Sequence, residues 1–177
     1  MKDKVSTTEF SSASLKRSAS DLATTQVHGL YQVKCFDKDG NLKWEDSFPN
    51  LVTTAGKNYL LDTGLDGGTA VTTWYLGLKN TGSAVAGDTL ASHGSWTEFS
   101  SYTGNRKAVA FAAASGGSSA GTEVTFAITG SGTVYGCFLA SADTGTSGTL
   151  YSAGDFGASK AVDYTDTLAV TYSSSLT

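Results

Sequence analysis

Hydrophobic and polar residues alternate strictly along two early stretches of the chain. Tyr31, Val33 and Cys35 alternate with Gln32 and Lys34, and Leu42 and Trp44 alternate with Lys43 and Glu45. A period of two sends successive side chains to opposite faces, so each run predicts a strand with one buried face. Between them, Asp37-Lys38-Asp39-Gly40-Asn41 contains an Asp-Gly pair, which supplies the positive φ angles of a tight hairpin turn. The same pattern recurs downstream. Trp74, Leu76 and Leu78 share one face of a predicted core strand, and Lys107 to Phe111 predicts another with Val109 and Phe111 on one side. Glu123–Ile128 and Thr133–Leu139 flank the turn Thr129-Gly130-Ser131-Gly132 and read as a second hairpin, with Val124, Phe126 and Ile128 inward. Short strands are also expected at 149–152, 161–162 and 167–172.

One segment departs from period two. Residues 51–62 offer a Thr cap, apolar residues at helical spacing and a glycine stop at Gly64, which predicts one short helix over about 54–62. Its expected task is to cover an open end of the β core, with Leu51, Tyr59 or Leu60, and Leu61 inward. Residues 80–105 show no sustained period and predict a long loop with one short strand around Trp96 to Phe99. Long loops in compact domains are often functional, which makes this one a candidate partner contact through Trp96. SGGSSAG at 115–121 predicts a further loop. The fold class is therefore all-β: a β-sandwich or jelly-roll-like barrel with one short helix.

Residues 1–28 stand apart from the single β domain expected over 29–177. Phe10, Leu15 and Leu22 are too sparse for a helix face of normal width, so the segment predicts an extended or weakly helical N-terminal arm. Ser6-Thr7-Thr8-Glu9 matches a capping box and allows a short helix over about 7–17. In the functional reading, the arm orders on a neighbouring subunit through Phe10, Leu15 and Leu22.

Composition narrows the function classes. The 177 residues suffice for one domain with a real core. Net charge is −4 and the isoelectric point is about 5.0, which leaves no basic footprint for nucleic acid or an anionic membrane. No signal peptide or membrane-spanning run is recognised, so a soluble protein with no secretion address is expected. Cys35 and Cys137 are the only cysteines, too few for a disulfide scaffold, and both are expected to be buried thiols. Charged residues make up 16% of a chain rich in Ser and Thr; such a surface suits a protein packed into an assembly.

Candidate chemistry is sparse. Asp37, Asp39 and Asn41 have the spacing that opens a calcium loop, but the sixth and twelfth positions, where Gly and Glu are needed, hold Leu42 and Phe48. The turn is the better reading. Nucleophilic catalysis needs a base, and the chain has only His28 and His93. Trp44, Trp74 and Trp96 with Asp62, Asp66, Asp88 and Glu98 are the residue types that line a sugar cleft, yet Trp44 and Trp74 fall on the apolar phase of strands and the acids sit where turns need caps. The glycine-rich stretches run between strands and do not open into a helix. No catalytic residue, cofactor or metal is expected. Glu98 and Arg106 read as an ion pair holding the long loop closed, with an intersubunit bridge as the alternative.

Three segments, FDKDGNLKWEDSFPNLVTTAGKNYLLD at 36–62, TTWYLGLKN with AGDTLASHGSWTEFSSYTGNRKA within 72–108, and DTLAVTYSSSL at 166–176, together resemble small β-rich virion structural proteins of tailed bacteriophages. The resemblance implies a non-enzymatic structural protein located in the virion. The first expectation is a capsid decoration or cement protein, a homo-oligomer and preferably a trimer, bracing the major capsid protein. Alternatives are a tail or head-tail junction subunit contacting tail proteins and, in a different class, a receptor- or glycan-binding module displaying Trp96.

Overall fold

The alternating runs on either side of Asp37–Asn41 pair as an antiparallel hairpin in the computed structural model, which describes residues 26–177. These strands are β1 (Val27–Phe36) and β2 (Leu42–Pro49), with Tyr31 opposite Phe48 and Cys35 opposite Trp44. The turn is built by its own polar groups. Asp37 accepts the backbone N–H groups of Asp39 (2.9 Å) and Asn41 (2.8 Å) and the Asn41 side chain (3.0 Å), while Gly40 takes φ +83°. Those bonds from Asn41 lower the Asp37 pKa below 3.8. The carboxylate is committed to the turn.

The chain continues as β3 (Leu51–Val52), helix α1 (Thr54–Leu65), β4 (Trp74–Thr81), β5 (Thr97–Phe99), β6 (Lys107–Val109), β7 (Ser118–Ala120), β8 (Val124–Ala127), β9 (Gly132–Ala140), β10 (Leu150–Val162) and β11 (Thr167–Leu176). Two antiparallel sheets result. In the first, β1 lies between β2 and β11, and both β7 and β8 pair with the far edge of β11. In the second, the order is β3-β10-β9-β4, and both β5 and β6 pair with the outer edge of β4. The sheets face each other across a core of Tyr31, Val33, Phe126, Leu168 and Val170 on one side and Leu76, Leu78 and Leu139 on the other. The all-β expectation holds, and the architecture is a two-sheet sandwich with one helix.

The second hairpin does not form. β8 pairs with β11 in the first sheet, whereas β9 pairs with β10 and β4 in the second, so Thr129–Gly132 is an arch crossing between sheets. Turn residues of that type satisfy either connection, and the edge of β11 decides. Val124, Phe126 and Ile128 do face inward as their alternation predicts. The expected strands 149–152 and 161–162 are two ends of the single strand β10, whose register against β9 shifts between Asp155 and Lys160. SGGSSAG contains the short strand β7.

Helix α1 starts where expected. Thr53 caps it by accepting the Gly56 N–H at 3.0 Å. Its last residue is Leu65, one turn beyond the predicted end, because Gly64 remains helical and the terminal N–H of Asp66 bonds the Asp62 carbonyl. The helix backbone lies directly on β10: a Cβ at Gly56 would stand 2.2 Å from the Tyr151 carbonyl oxygen. This close approach turns Tyr59 and Leu60 toward the core and leaves Leu61 57% exposed, contrary to the expected inward set; Leu51 is exposed as well.

Candidate partner-binding cleft

The end of the sandwich under α1 is incompletely filled. Between the sheets opens a cleft of about 370 Å³, floored by Trp74, Leu139 and Tyr172 and walled by Val27, Leu60 and Phe111. The lining is overwhelmingly apolar, with a hydroxyl rim from Ser118, Ser119 and Ser174. The volume falls within the range of sites that take a small ligand or a few side chains of a partner. Edge-to-face contacts stiffen the walls. Trp74 meets Tyr59 at 5.1 Å and Tyr151 at 5.4 Å between ring centroids, and Phe111 meets Tyr172 at 6.1 Å. Tyr59 is fixed in turn by the Val71 N–H, which donates to its hydroxyl at 2.9 Å.

Hydrogen bonds between tyrosines and neighbouring polar groups hold the sheets together behind the cleft. The Tyr31 hydroxyl lies 2.8 Å from Ser152 Oγ across the sandwich, and Asn50 donates to the Tyr172 hydroxyl at 2.7 Å. Gly29 makes this possible: a Cβ there would stand 2.4 Å from the Tyr172 oxygen. Burial pushes the pKa of Tyr31, Tyr151 and Tyr172 above 10.0, so these hydroxyls keep their protons at neutral pH.

Trp96 is placed elsewhere and is not offered to a partner. It is 2% exposed and packs with Leu90, Phe138 and Ala140 on the outer face of the second sheet, under the segment between β4 and β6. Its indole N–H donates to Asp88 at 2.9 Å, and His93 stacks on its ring at 4.0 Å while its Nδ1 lies 3.1 Å from the Trp96 carbonyl. His93 thus serves as a staple of the loop. Gly77 leaves room for the Phe138 ring, which a Cβ would meet at 2.2 Å. No periodicity announces this packing, which is why reading the loop alone suggested an exposed aromatic.

The Glu98–Arg106 pair lies within one chain. Arg106 Nε and Nη2 donate to the two Glu98 oxygens at 3.0 and 2.9 Å, and its remaining N–H groups reach the carbonyls of Ala142 and Gly145 at 2.9 Å each. This bidentate geometry locks the loop, as the intrachain reading expects.

A third polar cluster ties the β10–β11 turn to the first hairpin. Lys43 Nζ donates to Asp163 at 2.7 Å and Asp166 at 2.6 Å; Asp166 Oδ2 also accepts the Asp163 N–H at 2.8 Å and faces the Cys35 thiol at 3.6 Å. Burial pushes the Asp166 carboxyl up, but the Asp163 N–H and then the Lys43 ammonium outweigh it and the net pKa is lowered. Hydrogen bonds to Asp163 and Asp166 raise that of Lys43. Burial, helped by the Asp166 charge, pushes the Cys35 thiol up to about 12, and burial pushes the Cys137 thiol still higher. Both cysteines are buried free thiols, unreactive as nucleophiles at neutral pH.

Phe10, Leu15 and Leu22 lie outside the described residues. The cleft itself was missed by sequence reading, because its walls come from positions as distant as Val27, Phe111 and Tyr172. No known family model and no curated protein matches the chain.

Proposed function

We propose that the chain is a non-enzymatic structural protein of a tailed-phage virion, a decoration subunit that braces the head lattice. The observation that carries this reading is the apolar cleft at the end of the sandwich where the first 25 residues join β1. A rigid sandwich with a preformed apolar acceptor and a chain segment attached beside it has the parts needed to clamp neighbouring subunits: the cleft receives apolar side chains, and the segment supplies them. Twenty-five residues span at most about 85 Å when extended, enough to reach an adjacent subunit. Many modest contacts made at once, each tethered to the others, give the avidity a lattice brace requires. The resemblance of segments 36–62, 72–108 and 166–176 to phage virion proteins and the charge-poor, hydroxyl-rich composition support the same reading. The glycan-binding alternative loses its main support, since the Trp96 ring is buried in its own loop.

Localisation by cryo-electron microscopy of purified virions tests the proposal. Density for the sandwich repeated over the head lattice is the expected result. Copies confined to the tail or a vertex would transfer the protein to the tail or head-tail junction, and absence from the particle would reject both. Replacing Phe10, Leu15 and Leu22 together by Ser is expected to weaken attachment while the sandwich stays folded; unchanged attachment would remove the arm from the mechanism.

A further inference from the structure

Lys79 is completely buried although lysine is among the residues least often found inside a protein. It lies in β4, and its partner Asp155 lies in β10, with β9 between them. Both are register partners of the same residue, Gly136, so the three form one row across the sheet. Gly136 contributes no side chain to obstruct the row. The lysine crosses over β9, a distance of about 10 Å between the outer strands that lysine and aspartate side chains together can bridge, and its Nζ contacts Asp155 Oδ1.

The surroundings hold both groups in place. The Ala84 N–H donates to Asp155 Oδ2 at 3.1 Å, Nζ reaches the Gly82 carbonyl at 3.3 Å, and the Trp96 ring faces Nζ at 5.2 Å from its centroid. Asp88 orients that ring by accepting the indole N–H at 2.9 Å. The Asp155 side chain is still 31% exposed, which leaves a way out for a small leaving group.

We propose that Lys79 and Asp155 are a self-processing pair that joins β4 to β10 through an intramolecular isopeptide bond between Nζ and Cγ. The Lys79 ammonium passes one proton to Asp155 Oδ1, which frees the nitrogen lone pair to attack Cγ. As the N–C bond forms, the carbonyl electron pair moves onto Oδ2, where the Ala84 N–H stabilises the oxyanion. A second proton passes from nitrogen to Oδ1, the C–Oδ1 bond breaks, and one water leaves. No oxidant or activating group is needed, because the ion pair already contains the atoms of one amide plus one water. The fixed juxtaposition makes the reaction effectively unimolecular, and the neutral amide relieves the interior of a buried charge. The remaining amide N–H keeps the Gly82 carbonyl as its acceptor. Two strands of the sheet would then be linked covalently across their neighbour, a reinforcement suited to a protein under mechanical load.

The test is the intact mass of the full-length folded protein, measured after denaturation, beside that of Lys79→Arg, which keeps the positive charge but cannot form the amide. The wild type is expected to be lighter than its sequence mass by one water, and its protease digest to yield a branched peptide joining the Lys79 and Asp155 segments. Lys79→Arg is expected at its full sequence mass. Asp155→Asn is expected to yield the same branched product with loss of ammonia. If the wild type has its full sequence mass and no branched peptide after prolonged incubation in the folded state, the proposal is overturned. The wild-type digest decides the matter even if Lys79→Arg fails to fold.

Discussion

The two faces of the second sheet are buried in different ways. On the inner face, Leu76 and Leu78 of β4 and Leu139 of β9 pack against side chains from β1, β8 and β11, with regular strands supplying both walls. On the outer face, Gly77 and Lys79 of the same β4 are covered by an irregular segment whose apolar contribution is mainly Leu90 and Trp96. The inner layer is held by apolar contact between sheets. The outer layer adds directional bonds: Arg106 clamps Glu98, Asp88 receives Trp96, and Asp155 receives Lys79. An irregular segment has no ladder of its own to satisfy its backbone and fix its path, so buried polar side chains take over that task.

The largest expected effect comes from the inner layer. Phe126 is fully buried between the sheets, and Phe126→Ala should lower stability by about 3–5 kcal/mol, read as a shift in the urea midpoint for the whole domain. Arg106→Ala attacks the outer layer alone. It strips Glu98 of a bidentate partner and two carbonyls of their donors, and should cost about 2–3 kcal/mol, less than a fully buried pair because Glu98 is partly exposed. Limited proteolysis should show new cleavage between residues 82 and 105 while amide exchange in β1 and β11 stays slow; equal loosening of both layers would erase the distinction. Trp96→Phe keeps most of the apolar area but leaves Asp88 without the indole donor, for about 1–2 kcal/mol measured in the same unfolding experiment.

The smallest effect concerns pH and the Lys43–Asp166 pair, which belongs to neither layer. Asp166 has its pKa lowered by the fold, so the stability it contributes is complete above its ordinary value of 3.8 and is lost as pH falls through the lowered value. Lys43 has its pKa raised, so its contribution is complete below 10.5 and lost only as pH rises through the raised value. The pair is therefore intact over the neutral range. Asp166→Asn should flatten the acid limb of a stability-versus-pH curve below pH 3.8; an unchanged acid limb would show that other carboxylates control it.

Where backbone periodicity and turn chemistry act locally, the amino-acid order was enough. Alternation at 31–35 and 42–44 with Asp-Gly between them specified the β1–β2 hairpin, because a strand face and a tight turn depend only on residues within a few positions of each other. Thr53 specified the start of α1 for the same reason. The burial of Phe126 and Leu78 was likewise legible from alternation. Three features were decided only by tertiary structure. β8 and β9 separate into different sheets because the edges of β11 and β10 compete with the local hairpin for their backbone groups. Trp96 is buried because Phe138 of β9 and Lys79 of β4 meet it while Asp88 ties it within its own loop, a coincidence that no short-range pattern encodes. The cleft exists because α1 sits so close to β10 at Gly56 that Tyr59 and Leu60 can wall the end of the sandwich without filling it, and such a residual volume belongs to the packing of whole elements.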